Sequence, residues 1–303
     1  MRRLFPLSAE SPVESPVESP AGAPTGSAAR PLGGPSPVED REWTLEELAE
    51  AYAYPDLLPG PDAGPGPEAA PGRPAGVWLR ANMVSSLDGA AHHDGRSQPL
   101  SSAADMRIFG VLRGLADAVV VGAETVRQEG YRPARAREPF AARRAAEGRP
   151  PVPAIAVISA SLDLDFSLPL FTEPLVPTVV LTGAHAPAER LAAARAAGAE
   201  VVLAGEGTRV DPARVVAALA ERGLTRLLTE GGPKLLGQFA AAGVLDELCL
   251  SLAPLVTAGD AARIINGPGL MEPERFTLAS VLEDAGFLFT RYRRLRQEGN
   301  NRL

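Results

Sequence analysis

The chain has 303 residues, 45% of them apolar, with 30 glycines, 30 prolines, one cysteine and a formal net charge of −7. That charge excludes a broad nucleic-acid-binding surface, and a single cysteine excludes a disulfide framework or a Cys-rich zinc site, so no metal site is expected. No segment offers the roughly 20 consecutive apolar residues of a membrane span.

Met1-Arg-Arg-Leu-Phe-Pro-Leu7 has a basic start but no apolar h-region, so it is not read as a signal peptide, and the expected location is cytoplasmic. Residues 8–40 carry Ser-Pro-Val-Glu repeats. Such a tract lacks the apolar surface to offset ordering entropy and is expected to be a disordered spacer. A short helix follows within 44–54: Thr44 and Glu47 have capping-box spacing, and Leu45, Leu48 and Tyr52 share one face. It is expected to dock on the main domain. Pro55 to Gly76 reads as a linker. These features divide the chain into an N-terminal extension (1–76), one domain (77–296) and a short tail (297–303).

In the domain, a strand over Arg80–Ser86 precedes a helix from Ala103 to Leu115 capped by Ser101 or Ser102. Ile108, Leu112 and Leu115 give that helix its apolar face, widened by Met106 and Phe109. The β-branched run Ala116–Gly122 has the signature of a buried parallel strand. It stops at Gly122 and meets a helix start containing Thr125 and Arg127, a hydroxyl and a guanidinium suited to phosphate. The Arg-rich stretch 132–149 is expected to be a solvated helix and loop. Strands follow at 154–158 and 178–181, an Ala-rich helix at 188–197 ends at Gly198, and a strand covers 200–203. Asp211-Pro212 caps the next helix.

Thr225-Arg-Leu-Leu-Thr-Glu-Gly-Gly-Pro-Lys-Leu-Leu-Gly-Gln238 is the most informative stretch. A strand ends at Glu230, Gly231 and Gly232 free the backbone, and Pro233 opens a helix whose bare N–H groups form an anion site. A strand at 247–252 and an antiparallel pair over 276–282 and 287–295 close the domain. Repeated β–α units imply a mostly parallel sheet with helices on both faces, and ligands of such sheets lie at the carboxyl ends of the strands. Both glycine junctions lie there. The Gly-x-Gly-x-x-Gly fingerprint and the P-loop are absent. Two junctions with Thr, Arg and Gly-Gly point to a ligand with more than one phosphate, which a nicotinamide dinucleotide phosphate satisfies. Cys249 reads as a small buried hydrophobe.

The motifs Asn82-Met-Val-Ser-Ser-Leu-Asp-Gly89, Leu112-Arg113, Val121-Gly-x-x-Thr-Val-Arg127, Glu230-Gly-Gly-Pro233 and Asp246-Glu-Leu248, in this order, resemble the reductase domain of bacterial riboflavin-biosynthesis deaminase/reductases. The resemblance covers about residues 80–294. It implies a dihydrofolate-reductase-like α/β fold and a stand-alone pyrimidine reductase, since the deaminase zinc signature is absent. It further implies NADPH-dependent reduction of 5-amino-6-(5-phosphoribosylamino)uracil to its ribitylamino product, and a homodimer. Dihydrofolate reduction, and a non-catalytic NADP(H)-binding sensor or scaffold, stand as the two alternatives.

The cofactor residues implied are Val84, Leu100, Gly122, Thr125, Arg127, Glu129, Ser159, Gly231, Gly232, Pro233, Lys234 and Leu235. Ser97, Arg113 and Glu230 would hold the substrate. The family's further phosphate-binding arginine has Arg132 and Arg135 as equal candidates here, because Gln128-Glu-Gly-Tyr-Arg-Pro-Ala-Arg135 departs from the usual Asp-Asp-Pro-x-Leu-x-x-Arg. Asp88 either acts beside the nicotinamide or fixes the turn before Gly89. Glu230 is the second choice of proton donor after ordered water. His92 and His93 are expected to be solvated loop residues.

Overall fold

A computed structural model of the chain describes residues 1–5, 41–57 and 74–295. The Ser-Pro-Val-Glu repeats, most of the linker and the C-terminal tail lie outside the described residues.

The strands are β1 (Arg2–Phe5), β2 (Trp78–Ser85), β3 (Ala118–Gly122), β4 (Ala154–Ile158), β5 (Val179–Thr182), β6 (Glu200–Leu203), β7 (Arg226–Thr229), β8 (Glu247–Leu252), β9 (Phe276–Asp284) and β10 (Phe287–Arg294). The helices are α1 (Leu45–Ala51), α2 (Ala103–Leu115), α3 (Ala123–Gln128), α4 (Glu138–Ala146), α5 (Pro169–Thr172), α6 (Ala188–Ala196), α7 (Pro212–Ala220) and α8 (Pro233–Ala241). All strands join one sheet in the order β1-β9-β10-β8-β2-β7-β3-β4-β5-β6. From β8 to β6 in that order the strands run parallel. β8, β10, β9 and β1 are antiparallel.

Local chemistry accounts for much of this. In β3, Val119 and Val121 enter one apolar core and Val120 the core on the opposite face. Burial on both faces is why the strand reads as an unbroken apolar run. Thr44 and Glu47 form the expected capping box of α1, Ser102 caps α2, and Asp211 with Pro212 starts α7. Met106 and Phe109 depart from the expectation for α2. Met106 is half exposed and both residues line a cavity, while Ile108, Val111, Leu112 and Leu115 face the core.

Three features come from long-range pairing. Arg2–Phe5 forms an edge strand against β9, and the Met1 ammonium lies 2.9 Å from Asp284. Helix α1 docks as expected, and the carbonyls just past its C-terminus find donors in buried arginines. Arg80 of β2 reaches Tyr52 O at 2.7 Å, and Arg291 of β10 reaches Ala53 O at 2.9 Å. Both arginines pair with Glu247 of β8, at 2.8 Å and 2.5 Å. Burial alone would raise the Glu247 pKa, but the charges of Arg80 and Arg291 prevail and hold it at about 2.

The 132–149 stretch is not simply solvated. Arg144 of α4 is 1% exposed and donates to Gly114 O, Ala116 O and Pro150 O. It thereby satisfies carbonyls at the C-terminus of α2 that have no partner within the helix.

Candidate active site

β3 and β7 are neighbours, so their two glycine junctions lie side by side at the carboxyl edge of the sheet. The Gly122 amide donates to Gly231 O at 3.2 Å, and the Glu230 amide to Val120 O at 3.2 Å. The Gly231–Gly232 peptide is cis, and Gly231 has φ +94°. A Cβ on Gly231 would stand 3.2 Å from Met83 Sδ, and one on Gly232 would stand 3.0 Å from Thr125 Oγ1. The positive φ of Gly231 favours glycine there, and at Gly232 an added Cβ would force the Thr125 side chain to shift by a few tenths of an ångström. Gly232 is the N-cap of α8 and offers no side chain, so the first amides of that helix face the junction uncapped.

Two clefts meet here. The larger, about 1160 Å³, is lined by Gly122, Thr125, Arg127, Ser159, Gly232, Pro233, Lys234 and Leu235, all expected cofactor residues. The smaller, about 310 Å³, is lined by Val84, Ser97, Thr125, Glu129, Glu230, Gly232 and Pro233 among others. Thr125, Gly232 and Pro233 border both, together with Gln128 and His92. His92, expected in a solvated loop, is half-buried at this seam, whereas His93 is exposed.

Arg113 and Glu230 meet directly. Arg113 Nε and Nη2 each lie 2.6 Å from a Glu230 carboxylate oxygen, a bidentate pair. The Tyr131 hydroxyl donates to Glu230 and accepts from Arg113 Nη2 at 2.8 Å. The guanidinium also packs over the Phe109 ring, 4.4 Å from its centroid. Burial works against the Arg113 cation, but the Glu230 charge more than restores it and raises its pKa. Burial, reinforced by Glu230, likewise lifts the Tyr131 phenol well above its usual value, so it keeps its proton. With both oxygens engaged, Glu230 is poorly placed to deliver a proton. Tyr131 was not singled out from sequence. The local signal beside it is Gly130, whose positive φ marks a turn there.

Arg132 and Arg135 line a third hollow of about 340 Å³, with Arg137 and Arg144. Arg113 and Tyr131 border this hollow, and Tyr131 also borders the smaller cleft. The structure thus places both candidate phosphate arginines on the same hollow as Arg113.

Some expected residues are not at the clefts. Leu100 is fully buried in the core, because the 3₁₀ turn Gln98–Leu100 points it inward and leaves Gln98 on the smaller cleft. Gly231 is buried behind Gly232. Asp88 is exposed and serves the turn. It accepts from Ser86 Oγ at 2.5 Å and from the Thr257 and Ala258 amides at 3.2 and 2.7 Å. The Ser86 hydroxyl and then those amides hold its pKa at about 2. Ser159 Oγ accepts from the Leu162 amide at 3.0 Å, shaping the loop after β4. Lys234 is exposed, with Glu124 at 3.8 Å.

Residues 77–286 match the sequence model of the RibD C-terminal domain. The chain belongs to that family. It is 32% identical over 196 residues to the 2,5-diamino-6-ribosylamino-4(3H)-pyrimidinone 5′-phosphate reductase of Aquifex aeolicus, covering 63% of this chain and 80% of the relative. The protein of the same name from Methanothermobacter thermautotrophicus is 32% identical over 192 residues, covering 63% and 84%. Among solved structures, the pyrimidine reductase-like protein of Corynebacterium diphtheriae superposes with a TM-score of 0.66 at 29% identity, covering 73% of this chain and 93% of that one. The family is one of riboflavin-biosynthesis reductases, and the chain is an oxidoreductase whose mostly parallel sheet with a C-terminal antiparallel pair is the α/β architecture expected from its sequence. No helix among the described residues is long and apolar enough to cross a membrane.

Proposed function

We propose that this reductase uses NADPH to convert a phosphorylated ribosylaminopyrimidine to its ribitylamino product. The observation that carries the reading is the pair of glycine junctions, hydrogen-bonded to each other and opening on a large cleft and a small one through a shared seam. The larger cleft fits a dinucleotide. It exceeds the roughly 300–1,000 Å³ of ordinary small-molecule sites, it contains the uncapped start of α8, and it offers Thr125, Arg127, Arg209 and Lys234 to phosphates. Bound there, the nicotinamide would supply a hydride.

The chain's own residues would orient the acceptor and exclude water. Asn82, Met83, Val84 and Phe109 border the smaller cleft, where the pyrimidine would lie. The ribosyl phosphate would extend toward Arg113 and the hollow with Arg132 and Arg135. In its open-chain imine form the substrate takes the hydride at C1′ and a proton at the adjacent nitrogen. His92 is the ionisable side chain on the seam between the clefts, which makes it the best-placed proton donor. The 2-oxo (uracil) substrate comes from the sequence resemblance, and the 2-amino compound from the names of the two relatives above. Homodimerism rests on the resemblance.

Anaerobic NADPH oxidation with each pyrimidine phosphate tests this reading. Substrate-dependent oxidation with formation of the ribityl product is the expected result. Absence of turnover above background with both compounds rejects it.

A further inference from the structure

Three carboxylates lie on the wall of the smaller cleft: Asp105, Glu129 and Glu230. Glu230 commits both oxygens to Arg113 and Tyr131. Glu129 sits at the exposed rim and accepts from the Ser97 amide and hydroxyl. Asp105 differs from both. It stands in the first turn of α2, is 7% exposed, and pairs with no cation among the described residues. Each oxygen takes one neutral hydroxyl: Ser101 Oγ on Oδ2 at 2.5 Å, and Ser251 Oγ of β8 on Oδ1 at 2.6 Å.

A carboxylate has about four acceptor directions, so each oxygen retains one. The two serines fix the plane of the group, and the first turn of a helix favours negative charge there. A buried carboxylate that borders a cavity without a cation is costly unless a ligand brings donors to it. Met83, Met106 and Phe109 give the same cavity apolar, polarisable walls suited to a flat ring.

We propose that Asp105 reads the base edge of the substrate and selects a 2-amino-4-oxopyrimidine over the corresponding 2,4-dioxopyrimidine. This rests on the reductase reading above and deepens it. The 2-amino ring presents an exocyclic N–H beside a ring N–H, two parallel donors that match the two oxygens of one carboxylate. The dioxo ring presents a carbonyl in place of the amino group, so an oxygen lone pair faces a carboxylate oxygen. Ser101 and Ser251 already donate to Asp105 and so do not donate to that carbonyl. A site built around such a donor pair rejects an analogue lacking one donor far more strongly than an apolar pocket rejects a missing methylene.

The test is kcat/KM with NADPH for two substrates, 2,5-diamino-6-ribosylamino-4(3H)-pyrimidinone 5′-phosphate and 5-amino-6-ribosylaminouracil 5′-phosphate. Measurements use the full-length wild type and Asp105→Asn. The wild type should prefer the 2-amino compound by about 100-fold or more. The Asn amide offers one acceptor and one donor, the complement of the dioxo edge. Asp105→Asn should therefore reduce the preference at least about 10-fold and shift it toward the uracil, a change that a merely structural role of Asp105 does not produce. NADPH affinity should stay at the wild-type level, because Asp105 does not line the larger cleft. Equal turnover of the two compounds by the wild type, or a preference for the uracil, overturns the proposal even if the variant does not fold. A folded variant with an unchanged ratio also overturns it. Turnover of neither compound by the wild type overturns the reductase reading itself, and the selection with it.

Discussion

Glu247 of β8 lies between the buried arginines Arg80 and Arg291. Its carboxylate is buried and held at about 2 against an ordinary value of 4.5, with burial opposing and the charges of Arg80 and Arg291 prevailing. A pKa depressed in the folded state contributes stability that is complete above the unfolded value and is lost as the pH falls through the folded one. The difference of roughly 2.5 units corresponds to about 3 kcal/mol, with about 2 kcal/mol of it gone by pH 3. Glu247 and Arg80 both have fully buried side chains, so solvent screening does not reduce this appreciably. Glu247→Gln removes the charge and leaves two buried guanidinium groups facing a neutral amide, which costs about 3–5 kcal/mol at neutral pH. Urea unfolding of the wild type and Glu247→Gln at a series of pH values from 7 to 3 measures both effects. The variant should be less stable at pH 7, and its stability should fall less steeply between pH 5 and pH 3. Parallel pH profiles would refute the buried-triad reasoning, because the acid loss would then come from other carboxylates.

Gly232→Ala places a methyl carbon 3.0 Å from Thr125 Oγ1 at the seam of the clefts; NADPH affinity measured by fluorescence should fall about 10-fold or more, while circular dichroism stays native. Arg113→Ala leaves Glu230 buried without its cation and withdraws a guanidinium from the phosphate path. It should lower kcat/KM for the phosphorylated substrate by about 2–3 kcal/mol, with a smaller effect on the dephosphorylated compound. His92→Gln should lower kcat about 100-fold, with KM for NADPH within a factor of about three.

Local chemistry is what made this fold legible. Glycines at the ends of β3 and β7, Pro at the start of α8, the Thr44–Glu47 box and the Asp211 cap act within a few residues, and each lies where its residue type demands. The larger cleft, proposed above to take the cofactor, opens where both junctions fall at the carboxyl ends of neighbouring strands. Long-range features did not show. Arg80 and Glu247 look like surface charges in sequence, and only the parallel register of β2 with β8 sets them opposite each other. Nothing local to Arg144 reveals that the end of α2 lies beside it and takes its hydrogen bonds. Leu100 is a cofactor residue only by the family resemblance, whereas the turn that carries it faces the core. Tyr131 sits among arginines that mask it in sequence, and an acid such as Asp105 in the first turn of a helix is ordinary capping chemistry that gives no sign of a cavity beside it.

In the proposed function, the larger cleft holds a phosphorylated nicotinamide dinucleotide at the paired glycine junctions. Titration calorimetry of the full chain with NADPH, alongside the Gly232→Ala variant, measures this most directly. One-site binding at micromolar or tighter Kd, weakened by the alanine, is the predicted result. No heat from NADPH, or identical affinities for the two proteins, would contradict the account.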